Sequence, residues 1–151
     1  MLIVEPGDPH ASDATALLTA SHALMMALFP PEDNYALEID ALTAPDIHFY
    51  VAREGALLLG TGALAVRDGY GEVKSMYTSP EARGKGVAAA LLRQLEDQAR
   101  DLGLCALKLE TGEALDAAVR LYERHGFRRC ARFGDYAPNE TSVFMEKLLE
   151  S

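Results

Sequence analysis

Two cations and two glycines stand together in Arg83-Gly84-Lys85-Gly86, directly before an apolar stripe made by Val87, Leu91, Leu95 and Leu102. The stripe has helical spacing, and Glu96, Asp97, Arg100 and Asp101 lie off it, so the segment reads as an amphipathic helix with the loop at its N-terminus. The first N–H groups of a helix have no intrahelical acceptor and sit at the positive end of its dipole. Glycines let that backbone approach a phosphate closely, and Arg83 and Lys85 add charge. The chemistry on offer is anion binding. An ordinary glycine-containing turn ahead of a surface helix is the plainer alternative.

The flanking elements must hold that loop in place. Glu72 to Thr78 alternates and carries β-branched and aromatic residues, as a strand does, and Ser79-Pro80-Glu81-Ala82 ends it. Gly103 stands where a helix C-cap glycine belongs. Gly84-Lys85-Gly86-Val87-Ala88-Ala89 fits the dinucleotide pattern G-x-G-x-x-A, with Glu110 about 20 residues on. A dinucleotide turn, however, places its first glycine directly after the strand, whereas here a proline-bearing segment intervenes. Too little chain follows for a second βαβαβ half, and no G-x-x-x-x-G-K-[ST] is present.

Read in order, Leu2 to Glu5 is a first strand, and Asp8 or Ser12 can cap a helix running to about Phe29. Phe29-Pro30-Pro31-Glu32-Asp33-Asn34-Tyr35 is a proline-stiffened loop displaying two aromatics and two acids. A short helix near Ala36 to Leu42 follows. Ile47 to Arg53 and Ala56 to Arg67 form a hairpin about Glu54-Gly55, and Gly60 and Gly62 suggest a bulge in the second strand. With Glu72 to Thr78 these make three antiparallel strands. Ala106 to Thr111 is a buried strand parallel to the central one, because a helix makes the crossover. Leu115, Ala118, Val119 and Tyr122 stripe a helix ending at Gly126, and Phe127 to Phe133 and Thr141 to Leu149 complete the sheet. The order is β-α-α-β-β-β-α-β-α-β-β.

Arg83-x-x-Gly86-x-Ala88, after a strand ending at Ser79-Pro80, resembles the R/Q-x-x-G-x-G/A signature of the GCN5-related N-acetyltransferases (GNAT). The likeness extends through V-x-x-M-Y-x-x-P-E-A-R-G-K-G-V-A-x-A-L-L. A second match follows in Leu109-Glu110-Thr111-Gly112 and Leu121-Tyr122-Glu123-x-x-Gly126-Phe127. Together they cover residues 72 to 127. The resemblance implies an α/β (α+β) GNAT fold with a mixed, mostly antiparallel sheet, a splayed central parallel pair and flanking helices. It also implies acetyl-CoA as cosubstrate, with its pantetheine arm in the splay. The backbone of Met76-Tyr77-Thr78 would then meet the acetyl carbonyl and pantetheine amides. The amides of Arg83, Gly84, Lys85, Gly86, Val87 and Ala88 would hold the pyrophosphate. The loop with Phe29, Glu32 and Tyr35 corresponds to a region that commonly lines the acceptor pocket; a plain connector with its aromatics tucked into the core is the alternative.

Aminolysis of a thioester needs a neutral amine. For a lysine-like amine with a pKa near 10.4, neutralisation at pH 7 costs roughly 4–5 kcal/mol. A carboxylate is the customary proton acceptor. Glu72 is the first candidate, on a strand face expected to be shared with Lys74, Met76 and Thr78. Glu110, at the end of the neighbouring strand, is the second and counts with the acceptor-side residues; Glu32 and Asp33 come third. The resemblance implies that Tyr122 protonates the departing thiolate, a reasonable task for a phenol with a pKa about 10. Many relatives carry Asn or Gln seven residues before this tyrosine, where this chain has Leu115.

The 151 residues suit one domain, 1–151, with a real core. A formal net charge of −9 argues against a general nucleic-acid binder, and no apolar run is long enough to span a bilayer. A cytoplasmic protein without a membrane partner is the expectation. Cys105 and Cys130 sit in apolar runs and read as buried free thiols, and His10, His22, His48 and His125 form no ligand pattern, so no metal is expected. His125 is expected to complement a helix dipole. Edge strands near the C-terminus leave a homodimer open. The commitment is direct acetyl transfer from acetyl-CoA to a primary amine of a small molecule or peptide. A non-catalytic acyl-CoA-binding module of the same fold is the alternative.

Overall fold

A computed structural model describes residues 1–31 and 37–149. Its strands are β1 (Leu2–Pro6), β2 (Ile47–Glu54), β3 (Leu57–Val66), β4 (Gly71–Thr78), β5 (Ala106–Gly112), β6 (Arg128–Arg129) and β7 (Ser142–Leu148). Its helices are α1 (Ser12–Leu28), α2 (Val87–Asp101) and α3 (Asp116–Arg124). The seven strands form one sheet in the order β1-β2-β3-β4-β5-β7-β6. Every neighbour is antiparallel except β4 and β5, which α2 joins as a crossover. The fold class expected from sequence is the one observed.

Two apolar clusters lie on opposite faces of the sheet. On one, Val87, Leu91, Leu92, Leu95 and Ala99 of α2 and Val119 and Tyr122 of α3 pack on Leu64, Val73, Leu107 and Leu109. On the other, Ala14 and Leu18 of α1 pack on Phe49, Val51, Leu58 and Ala63. Gly103, at φ 72, closes α2: its N–H donates to the Arg100 carbonyl and the Leu104 N–H to that of Ala99. No helix among the described residues is long and apolar enough to cross a membrane.

The parallel pair parts almost at once. Only Gly71 and Glu72 of β4 are in register with Leu107 and Lys108 of β5, and beyond them the strands diverge. The bulge expected within β3 is two irregularities. Leu59 is the extra residue of β3 against β2. Against β4, the extra residue belongs to β4: Gly62 faces both Ser75 and Met76, and Ser75 has φ 56. Gly60 and Gly62 serve close packing, since a Cβ on Gly60 would stand 2.7 Å from Val87 and one on Gly62 2.8 Å from Met76.

Several local expectations are corrected. Neither Asp8 nor Ser12 caps α1; Ala11 precedes it, and Asp8 accepts from the His10 N–H instead. The short helix ahead of Pro45 is a single 3₁₀ turn, Asp40–Thr43. The strand expected over residues 127 to 133 is only Arg128–Arg129, and the chain then runs as a long loop to Ser142. Cys105 is exposed and Cys130 half-buried, so apolar neighbours in sequence did not bury either thiol. His125 follows α3, but burial and the cations Arg93, Lys147 and Arg124 push its pKa down, which disfavours the dipole role.

Candidate active site

The divergence of β4 and β5 opens a slot through the sheet that encloses about 130 Å³. Lys74, Ser75 and Met76 line one arm, Glu110, Thr111 and Gly112 the other. Phe29 of the segment after α1 and Tyr122 of α3 close it from opposite faces. Phe29 lies directly on Gly112, where a Cβ would come within 2.0 Å of its ring.

Strand alternation decides which groups share a face. Leu107 and Leu109 belong to the α2–α3 cluster, so Lys108 and Glu110 project towards the α1 face. Lys74 stands opposite Ala63, which packs with α1, and so lies on that same face. The bulge at Ser75 then reverses the parity. Tyr77, paired with Thr61, stays on the α1 face, while Met76 and Thr78 turn towards α2. The face expected to unite Glu72, Lys74, Met76 and Thr78 therefore exists only for the first two.

Tyr122 is 6% exposed, and its ring packs against Phe127 at 5.7 Å. Its hydroxyl has no hydrogen-bond partner among the described residues, and burial pushes its pKa up, so it stays protonated. Glu110 accepts a hydrogen bond from Ser142 Oγ at 2.7 Å. Asn139 fixes that serine: its Oδ1 accepts from the Ser142 N–H at 2.7 Å and its Nδ2 donates to Ser142 Oγ at 3.0 Å.

Glu72 is 3% exposed and faces a second hollow, of about 420 Å³, with Arg67, Tyr70 and Tyr136. Its carboxylate accepts from Arg67 Nε at 3.2 Å and, through the other oxygen, from the Tyr136 hydroxyl. Lys74 Nζ donates to that hydroxyl at 2.8 Å and lies 3.7 Å from Glu72. Burial lowers the Lys74 pKa, while Glu72 and Glu110 oppose the shift and Arg67 adds to it. Burial and the bond to Glu72 push the Tyr136 hydroxyl up. Phe133 and Phe144 hold its ring at 5.5 Å each.

At the N-terminus of α2, Gly84 and Gly86 have φ 83 and 78, and Gly86 precedes the helix. The Arg83 and Lys85 N–H groups donate to the Pro80 and Ala82 carbonyls. The first bond of α2 runs from the Ala90 N–H to the Gly86 carbonyl, which leaves the N–H groups of Gly84, Gly86, Val87 and Ala88 without an intrahelical acceptor. Arg83, Gly84, Lys85 and Gly86 are all exposed. This fits a pyrophosphate: a backbone concavity that a side chain would strain, at the positive end of a helix of 15 residues, flanked by two cations.

A family model described as "Acetyltransferase (GNAT) family" matches residues 15–127. The chain belongs to that family. Among other GNAT-type proteins, it is 45% identical to the IAA acetyltransferase of Azospirillum brasilense over 124 residues, 81% of each chain. A Klebsiella pneumoniae structure assigned as an acyl-CoA N-acyltransferase superposes with a TM-score of 0.83 at 32% identity, covering 99% of both chains. The PaiA N-acetyltransferase of Thermoplasma acidophilum, solved in complex with coenzyme A, shares the fold with a TM-score of 0.73 at 16% identity, covering 99% of both.

Within this GNAT domain, Phe29, Met76, Glu110 and Tyr122 line one slot, and Arg83 to Ala88 form the turn and first residues of α2. Glu72 stands apart, behind Lys74. Leu115 lines the slot with an apolar side chain. Glu32, Asp33 and Tyr35 lie outside the described residues. Lys74, Tyr136, Ser142 and Asn139 are the residues that sequence reading missed. Tyr136 did carry a signal, a lone aromatic between Gly134-Asp135 and Pro138.

Proposed function

We propose that this chain is an acetyl-CoA-dependent N-acetyltransferase that moves acetyl directly to a primary amine. One observation carries the reading: Glu110 and Tyr122 border the same slot from opposite faces of the sheet. Attack on a carbonyl and departure of its leaving group need a proton acceptor on one side and a proton donor on the other. When bound, acetyl-CoA supplies an acyl thioester. The side chains of Arg83 and Lys85 and the N–H groups of Gly84, Gly86, Val87 and Ala88 balance its pyrophosphate, and the diverging edge of β4 at Met76, Tyr77 and Thr78 offers backbone groups to its pantetheine arm.

Glu110 takes the proton of the incoming ammonium, directly or through water, from the α1 face. Tyr122, held protonated, donates to the departing sulfur from the α2–α3 face. Glu72 acts through others: tied to Arg67 and Tyr136, it holds Lys74 in position. Transfer is direct, because neither Cys105 nor Cys130 borders the slot.

Thiol release from acetyl-CoA across a panel of amino acids, polyamines, aminoglycosides and short peptides tests the reading, with Glu110→Gln and Glu72→Gln alongside. Release with one acceptor class, cut about 100-fold or more in Glu110→Gln and less in Glu72→Gln, is expected. Uptake of acetyl-CoA without release for any acceptor would leave an acyl-CoA-binding module in its place.

A further inference from the structure

We propose that the acceptor is an amine that also carries a carboxylate, with Lys74 binding the carboxylate while Glu110 faces the amine. This rests on the acetyltransfer reading above and names the substrate class of that same site.

The slot presents a cation on one arm and an anion on the other. Lys74 on β4 and Glu110 on β5 both line it from the α1 face, and the charge of Glu110 acts directly on Lys74. A simple amine arrives as a cation, and Arg67 and Lys74 share the single carboxylate of Glu72, so that wall keeps a net positive charge that repels it in a medium that screens poorly. An acceptor carrying both charges turns that repulsion into attraction, with its ammonium at Glu110 and its carboxylate at Lys74.

Lys74 is also held in a defined direction. The Tyr136 hydroxyl accepts from its Nζ, donates in turn to Glu72, and Arg67 occupies the other oxygen of that carboxylate. Tyr136 is wedged between Phe133 and Phe144, so the link of the chain Arg67–Glu72–Tyr136–Lys74 that receives the lysine is fixed by packing. Buried charge is costly to keep and costly to orient. The network's other members, Arg67, Glu72 and Tyr136, line the neighbouring hollow, so they fix Lys74 from behind the slot wall to which it belongs.

The class excludes acceptors in which the amine has no carboxylate within a few bonds, among them polyamines, aminoglycosides and peptide N-termini. Free amino acids and amino-acid conjugates with an intact α-carboxylate remain.

Steady-state kinetics on the full chain separate these cases, using free L-amino acids against their carboxamides, which match them in shape but lack the charge. At least one amino acid is expected to exceed its carboxamide about 100-fold in kcat/KM, the size of losing one buried charge pair. Lys74→Met should bring the two within a few-fold, mainly through the KM of the amino acid, while Lys74→Arg keeps part of the preference. Tyr136→Phe, which retains the ring and loses the hydroxyl, should weaken discrimination by an intermediate amount and guards against misfolding of the first variant. Equal use of carboxamide and amino acid overturns the proposal, as does discrimination that survives Lys74→Met. Turnover confined to polyamines or peptides overturns it and leaves acetyltransfer standing. Silence with every acceptor while acetyl-CoA binds overturns both.

Discussion

Tyr122→Phe removes one oxygen and leaves the rest of the site in place. The ring keeps its packing against Phe127 at 5.7 Å and its position in the α2–α3 cluster, and the hydroxyl has no described partner to strand. The variant should therefore melt within about 2 °C of wild type, since a surface or unbonded change is worth roughly half a kcal/mol or less and a chain of this size moves about 2–4 °C per kcal/mol. Its chemistry should suffer far more. A positioned general acid contributes about 10²–10⁴-fold, or about 3–5 kcal/mol of barrier. The assay is steady-state thiol release at saturating acetyl-CoA and acceptor, with acetyl-CoA affinity measured separately by calorimetry. The expected pattern is a kcat lower by about 100-fold or more with acetyl-CoA affinity within about 3-fold of wild type. A kcat within about 3-fold of wild type would refute the donor role and leave Tyr122 a core residue that happens to border the slot.

The same hydroxyl sets an alkaline limit. Because its pKa is raised above the ordinary value of 10.0, the protonated form persists to higher pH, so kcat should not fall between pH 9 and 10 on its account. A pH–rate profile up to that range checks the sign. Gly86→Ala forces a side chain onto φ 78 and should raise the KM for acetyl-CoA about 10-fold with little change in kcat, as initial-rate kinetics will read. Thr61→Val deletes the hydroxyl that donates to the Ser75 carbonyl at 2.8 Å, leaving a bulge acceptor unpaired. Urea unfolding should show a loss of about 1–3 kcal/mol, with Thr61→Ser close to wild type.

Local chemistry was legible; parity and burial were not. The turn Arg83-Gly84-Lys85-Gly86 and the α2 stripe write themselves in residues that are neighbours in sequence, and both glycines do take positive φ. The parallel alignment of β4 and β5 followed from the connection, because α2 carries the chain back to the end of the sheet at which β4 begins, and β5 then starts in the same direction. Glu72 was misread for a different reason. Its burial depends on Arg67 and Tyr136, from 5 to 64 positions away, and no periodicity carries that distance. Cys105 precedes a core strand and Cys130 follows a short edge strand, so apolar neighbours said little about either thiol.

The bulge explains why one slot can have two chemically different walls. Ser75 at φ 56 costs on the order of 1–2 kcal/mol for a residue with a Cβ, and the Thr61 hydroxyl helps to hold it. Without the extra residue, strict alternation would put Lys74, Met76 and Thr78 on one face and send the far half of β4 towards α1. With it, Lys74 keeps to the α1 face beside Glu110, while Met76 turns to pack near Gly62 and Leu91 under α2. The strand thus offers an ionic surface to whatever enters from the α1 side and an apolar one on the side of Tyr122. Parting from β5 after Glu72 then frees the β4 edge at the level where those two surfaces change places. A single unfavourable backbone angle thereby gives the β4 wall of the slot an ionic part on the side of Glu110 and an apolar part on the side of Tyr122.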